Sequence, residues 1–319
     1  MNKSLKRYTL YWSSLQRYEG CPQHFLWGRG WGAIDVGGGP GKRKPVPEQK
    51  SRHHAVMGIA IQAGIEAMYN EQWYRRPQEM MDLMIDEATT HFNREILTGY
   101  IDWRESPSRT DLLQVVLAGV RGYVTTMKQH RLLGAWTEAE MDLIGFIDEG
   151  NPIGGRADTV FRRTDTGVTI LDGKNSNRYL DRKTGQWFSY TDPDQLRWYA
   201  LCYFLKFGVL PDRLAFVYYR FPYGYTGDKG YEDIPSDGID WVPFAEDDLK
   251  GLAARALEAR AAMNAEKFDA NPSPQGCRFC EYETVCTPRQ EQKKKNQRGR
   301  KPKRSILPEG KGMMDLDLG

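Results

Sequence analysis

The sequence predicts an α/β fold, with a mixed central sheet flanked by helices and a long helical insertion ahead of the sheet. Three observations carry this. Apolar and β-branched runs at 141–147, 153–163 and 168–174 read as consecutive strands. A helical pattern over 193–207 separates them from a fourth run at 213–221, and that spacing suits a crossover between strands of one sheet. Three helical patterns, at 53–73, 77–97 and 110–133, lie between an N-terminal helix and the first strand.

Taken in order, residues 9–27 carry a helical pattern with Thr9, Ser13 or Ser14 as caps. Residues 28–51 hold seven glycines and several prolines, together with Lys42, Arg43 and Lys44, and read as a flexible loop. The strands at 153–163 and 168–174 are joined by Thr164, Asp165, Thr166 and Gly167, which is hairpin-turn chemistry. The helix over 193–207 opens with Asp192 and Pro193, a proline that suits a first turn. An alanine-rich helix spans 246–267, followed by a cysteine cluster and then by 289–304, dominated by Lys, Arg, Gln and Gly. That last stretch cannot bury a core, so residues 289–319 are expected to form a disordered basic tail behind a single folded unit over 1–288.

The chain of 319 residues is 40% hydrophobic and 27% charged, ordinary values for a globular protein with a sizeable core. Its formal net charge of +3 is weakly consistent with a polyanionic partner. No apolar run approaches the roughly 18 residues of a membrane span, and no apolar segment follows the start as in a signal peptide. A cytoplasmic protein with no membrane partner is the expectation, and its five cysteines then argue for metal or redox chemistry over disulfides.

Chemistry concentrates in mid-chain. Asp158, Asp172 and Lys174 fall within seventeen residues, on the two strands of the expected hairpin. The hairpin brings the aspartates together, and two oxygen anions suit a hard cation such as Mg²⁺ or Mn²⁺. Lys174 lies two residues past Asp172 and so shares its face of the strand. This is equipment for hydrolysing a phosphodiester, the cation acidifying a water and the ammonium neutralising developing charge. Surface hairpins also carry acids and lysines without function, but Asp172 ends the apolar run Val168, Thr169, Ile170 and Leu171.

Two further groupings stand out. Gln195 and Tyr199 share one face of the helix that follows the strand of Lys174, placed to contact a phosphate or a base. The alternative is an ordinary amphipathic helix, with Tyr199 in the core and Gln195 solvated or capping. Cys277, Cys280 and Cys286 crowd ten residues near the end of the folded part, and Cys21 sits far upstream before Pro22. With no second Cys or His pair nearby, this asymmetry favours an iron–sulfur cluster, zinc or metal-free thiols being the alternatives. Cys202, inside an apolar helix, reads as a small buried residue.

In order along the chain come Ser13, Leu15, Tyr18, Cys21, Pro22 and Phe25; then Gly58, Gln62 and Glu66; then Gly155 and Asp158, Asp172 and Lys174, Gln195 and Tyr199, and the three C-terminal cysteines. The series, covering about 11–288, resembles the RecB-type branch of the PD-(D/E)XK nucleases in its iron–sulfur form, which includes CRISPR adaptation nucleases, the AddB nuclease domain and phage exonucleases. The resemblance implies a restriction-endonuclease-like core. It implies that Asp158 and Asp172 bind Mg²⁺ or Mn²⁺, that Lys174 helps position the attacking water, and that Gln195 and Tyr199 support the site and the DNA. It also implies that Cys21, Cys277, Cys280 and Cys286 hold a [4Fe–4S] cluster pinning the chain ends together. The branch usually has a metal-binding histidine four residues after the helix glycine, where this chain has Gln62, a poorer metal ligand in the same place. Glu66, one turn on, is a carboxylate for the same face, and related nucleases lacking the histidine use an acid from this helix.

The functional expectation is therefore a metal-dependent deoxyribonuclease, an exonuclease in recombination, repair or DNA-end processing. Its partners would be single-stranded DNA or duplex ends, together with recombination or replication proteins. The rival expectation is a catalytically weak DNA-binding or structural subunit that keeps the cluster.

Overall fold

The computed structural model of the chain describes residues 8–30, 52–99, 101–103, 106–133, 136–163, 165, 167–175, 191–219, 238–273, 276–277 and 280–299, with two-residue strand pieces at 34–35, 42–43, 179–180 and 187–188. The chain begins with β1 (Leu10–Tyr11), α1 (Trp12–Gly20) and α2 (Pro22–Gly28), then a ribbon of β2 (Ile34–Asp35) and β3 (Lys42–Arg43). The helical insertion is α3 (His53–Asn70), a 3₁₀ turn at Trp73–Arg75, α4 (Met80–Thr98) and α5 (Arg109–Gln129). Strands β4 (Trp136–Phe146), β5 (Pro152–Arg163) and β6 (Gly167–Lys174) follow, then a second ribbon of β7 (Tyr179–Leu180) and β8 (Trp187–Phe188). Helix α6 (Asp194–Phe207), β9 (Arg213–Tyr218), β10 (Ile239–Trp241), α7 (Glu246–Asn264) and α8 (Thr287–Gly299) complete the described chain.

The sheet is mixed. β4, β5 and β6 form an antiparallel meander. β9 joins β6 in parallel through the α6 crossover, β10 runs antiparallel to β9, and β1 lies parallel against the start of β5. Both faces of the sheet are covered, which explains why β9 reads as the unbroken apolar run Leu214–Tyr218. Alternation divides it: Val160, Ile170, Leu214, Phe216 and Tyr218 pack with α1, α6 and α7. Phe161, Leu171, Ala215, Val217 and Tyr219 pack with α3, α4 and α5. Helix α6 is fastened to β5 by Trp198, whose buried Nε1–H donates to Gly154 O at 2.9 Å. It ends at Gly208, whose φ of 73° supplies the left-handed turn and whose N–H closes on Phe204 O. Helix α5 opens with a capping box between Ser108 and Asp111.

Several expected elements are redrawn. The helix expected over 9–27 is broken at Cys21, which is extended because proline follows, and Pro22 restarts a helix at its first position. The two residues before α1 form β1, and β10 is a short strand that no sequence pattern marked. Residues 289–299 are helical where disorder was expected. Arg289 pairs with Glu283 at 2.9 Å, Lys293 with Glu283 at 3.1 Å, and Gln292 donates to Pro272 O at 3.2 Å, so this stretch docks through charge and hydrogen bonds in place of a core. Residues 300–319 lie outside the described residues, as does most of the loop expected over 28–51. Among the described residues, no helix is long and apolar enough to cross a membrane.

Candidate active site and cysteine cavity

The hairpin places its acids where the sequence predicts. The last paired residues of β5 and β6 toward the site are Thr159 and Leu171, so Asp158 and Asp172 sit one residue beyond, where the strands part. The Gly173 N–H released there donates to Asp158 Oδ2 at 2.8 Å. Lys174 Nζ reaches Asp172 Oδ2 at 2.5 Å, a charge contact without hydrogen-bond alignment, as expected for residues two apart on one strand face. Gly173 is required here, since a Cβ would run into the Tyr219 hydroxyl.

Helix α6 completes the network. Gln195 Oε1 accepts from Lys174 Nζ at 2.8 Å, while its Nε2 donates to Asp172 Oδ1 at 2.9 Å and to the Tyr199 hydroxyl at 3.0 Å. Tyr199 is core, as in an ordinary amphipathic helix, while Gln195 is bonded to Lys174 and Asp172 instead of being solvated or capping. The ring of Tyr199 packs over Gly155, where an added Cβ would come within 2.7 Å of it. The glycine before the first aspartate therefore makes room for the tyrosine.

Burial dominates the electrostatics. Asp172 is 2% exposed and Asp158 is half-buried beside it. Burial pushes the Asp158 carboxyl well above the usual range, and the neighbouring Asp172 charge adds to this. Burial also raises Asp172, against the pull of Lys174. Each acid has one oxygen held by a donor, Asp158 by Gly173 and Asp172 by Gln195, and both are crowded without compensating charge beyond Lys174. Two desolvated, mutually repelling carboxylates of this kind fit a divalent cation.

On α3, the structure separates the two residues of the expected ligand pair. The Gln62 carboxamide is engaged at both ends, accepting from Tyr219 OH at 2.5 Å and donating to Glu140 Oε1 at 2.9 Å. Glu66 borders a neighbouring hollow with Glu87 and His91 and meets Asn70 at 3.5 Å, and its charge still reaches Glu140. Glu140, on β4, is the acid that sequence reasoning missed. Its alternation with Glu138 and Asp142 reads as a solvent face, and no local signal distinguishes it.

Cys21 and the three C-terminal cysteines, Cys277, Cys280 and Cys286, border one cavity of about 640 Å³ together with Arg17, Gln23, His24 and Arg289. Burial raises the Cys280 and Cys286 thiols, and both lie near Cys21 and Cys277. The Tyr282 N–H points to the sulfur of Cys280 and the Arg289 N–H to that of Cys286. Around the cavity the chain ends are already joined by protein contacts. Tyr18 OH donates to Lys267 O at 2.8 Å, His24 Nε2 meets Glu281 Oε2 at 3.0 Å, and the Trp27 and Tyr282 rings lie edge to face at 5.6 Å. Cys202 is buried in α6, as predicted.

The mixed sheet thus carries two acids and a lysine where β5 and β6 part, with a glutamine from α6 bonded to one acid and the lysine. The chain belongs to the PD-(D/E)XK nuclease superfamily, whose model matches residues 11–287. Membership implies metal-dependent nuclease activity and a nucleic-acid substrate. No curated protein matches the chain. Among solved structures, one described as the crystal structure of SSO0001 is similar at 13% identity and a TM-score of 0.30, covering 73% of this chain and 85% of that one.

Proposed function

We propose that the chain is a Mg²⁺- or Mn²⁺-dependent deoxyribonuclease that works from DNA ends, an exonuclease of recombination, repair or end processing. The observation that carries this reading is the hydrogen-bonded set of Lys174, Gln195 and the buried Asp172, closed around one side of the acid pair. Asp158 and Asp172 would hold the cation, with Glu66 of α3 a further carboxylate near its approach. When bound, the cation supplies Lewis-acid stabilisation of phosphoryl charge and a water of lowered pKa. Lys174 then presents its ammonium to the charge that develops on the phosphate. Gln195 fixes Lys174 and orients Asp172 through its two ends, and the Tyr199 hydroxyl anchors Gln195. Gln62 acts through Tyr219 and Glu140, since neither end of its carboxamide is spare for a cation.

The cysteine cavity supports the companion proposal, a [4Fe–4S] cluster held by Cys21, Cys277, Cys280 and Cys286. Among the described residues, the one set of three metal-binding atoms mutually within 4.8 Å is that of His24, Cys280 and Glu281. No three of the four sulfurs lie mutually within 4.8 Å, though all four cysteines border the one cavity. Protein purified without oxygen should be brown with bound iron, and replacing any of the four cysteines by serine should remove the colour while Cys202→Ser keeps it. Stoichiometric zinc in its place would overturn the cluster assignment.

The catalytic proposal is tested with linear single-stranded, linear duplex and closed circular DNA, labelled at one end, in the presence of Mn²⁺. Release of short products from linear DNA with circles left intact is the expected result. Cleavage of circles would make the enzyme an endonuclease, and binding without cleavage of any form would leave a DNA-binding subunit.

A further inference from the structure

We propose that Glu140 is a third carboxylate of the cation centre, held in place by a relay from Tyr219 through Gln62. This rests on the reading of Asp158 and Asp172 as cation ligands and adds to it a residue on a different strand. The β4–β5 ladder pairs every residue from Trp136 with Arg162 to Phe146 with Pro152 except one rung. The missing rung is Glu140 opposite Asp158. There the backbone of Glu140 turns to a φ of 52°, the left-handed region that a glutamate rarely adopts. A strand interrupted at one residue, opposite the first aspartate, redirects that side chain without disturbing the strand on either side.

What it is redirected to is specific. Glu140 Oε1 accepts from Gln62 Nε2 at 2.9 Å, and Gln62 Oε1 accepts from Tyr219 OH at 2.5 Å. Tyr219 follows β9, its N–H donates to Lys174 O at 3.0 Å, and its hydroxyl crosses Gly173, between Asp172 and Lys174. The relay thus begins beside β6, the strand that carries Asp172. Glu140 Oε2 keeps an oxygen outside hydrogen-bond reach of its cationic neighbour, with Arg156 Nε at 3.9 Å. The side chain is 23% exposed, and its charge is felt at Asp158. Asp172 Oδ2, fully buried, likewise has no hydrogen-bond donor beyond its charge contact with Lys174. Asp158, Asp172 and Glu140 put three carboxylates against the single ammonium of Lys174, an excess of negative charge that a neutral Gln62 does not add to.

The test is Mn²⁺ binding by the full chain, read as the loss of the free-ion paramagnetic resonance signal, beside thermal unfolding with EDTA or with Mn²⁺. Glu140→Gln retains an acceptor for Gln62 and should weaken Mn²⁺ binding about tenfold or more. Its metal-free midpoint should match or exceed wild type, because one of three crowded charges is gone, while the rise in midpoint on adding Mn²⁺ shrinks. Gln62→Met leaves Glu140 in place without its support and should weaken binding several-fold, which keeps the test decisive if Glu140→Gln is poorly folded. Glu66→Gln should weaken binding less than Glu140→Gln. The inference is overturned if Glu140→Gln binds within twofold of wild type, or if Glu66→Gln has the larger effect. If Asp172→Asn also binds Mn²⁺ like wild type, the failure lies instead with the cation reading of the acid pair.

Discussion

Replacing Gln195 by leucine removes a side chain that touches three members of the site and leaves its volume nearly unchanged. Two of its hydrogen bonds involve charged partners, Lys174 Nζ at 2.8 Å and Asp172 Oδ1 at 2.9 Å, and the third involves Tyr199 at 3.0 Å. A hydrogen bond to a charged group contributes about 1.5–3 kcal/mol, and the substitution leaves a buried Asp172 oxygen without its donor. Because the bonds share partners, their contributions do not add, and about 2–4 kcal/mol is the expected drop in unfolding free energy. A domain with about 5–15 kcal/mol of stability survives this folded. If about 2 kcal/mol of it is positioning of Lys174 and Asp172 in the transition state, turnover falls about 30-fold. Urea unfolding of the metal-free protein, and single-turnover cleavage of end-labelled DNA at saturating Mn²⁺, measure the two quantities separately. Unchanged unfolding together with turnover within twofold of wild type would refute the claim that Gln195 organises the site.

Gly155→Ala should cost about 1–3 kcal/mol by overpacking, since the new methyl would sit 2.7 Å from the Tyr199 ring, and should reduce turnover by shifting Gln195; thermal unfolding and the same cleavage assay check it. The raised carboxyls of Asp158 and Asp172 set a pH dependence. Their stabilising contribution is full below the ordinary carboxylate range and is lost as pH rises through the raised values, so the metal-free protein should lose stability on that climb. Mn²⁺ affinity should tighten over the same window as protons cease to compete, and a pH-independent affinity would count against ionised acids as ligands. Truncation after Gly299 removes Arg300, Lys301, Lys303 and Arg304 but spares the docked helix. The logarithmic salt slope of duplex binding should flatten by about 0.9 for each phosphate that these cations neutralise in the full chain, with turnover at saturating DNA unchanged.

The acid pair was legible because strand period and turn chemistry are local. Two β-branched runs joined by Thr164 to Gly167 force Asp158 and Asp172 to one end of a hairpin, and Lys174 onto the same face. The cysteines were legible as a set through spacing, although only the fold shows Cys21 sharing a cavity with the other three. Glu140 was not legible. Its position depends on a backbone angle inside a strand and on Gln62, which is itself held by Tyr219, 157 residues away in sequence. The break at Cys21 was available in principle from the proline that follows it, but the helical pattern on both sides obscured it. Helix α8 escaped notice because its stability lies in contacts with Glu283 and Pro272, and its composition carries no apolar stripe.

The most direct measurement is the rate at which folded wild-type protein and its Asp158→Asn and Asp172→Asn variants shorten end-labelled DNA as Mn²⁺ is added. The acid pair as cation centre requires that wild-type cleavage depend on Mn²⁺, and that each variant lose it by a factor of a thousand or more, about 4 kcal/mol of barrier. Cleavage by either variant at a rate near wild type, or wild-type cleavage undiminished in EDTA, would contradict the assignment of Asp158 and Asp172.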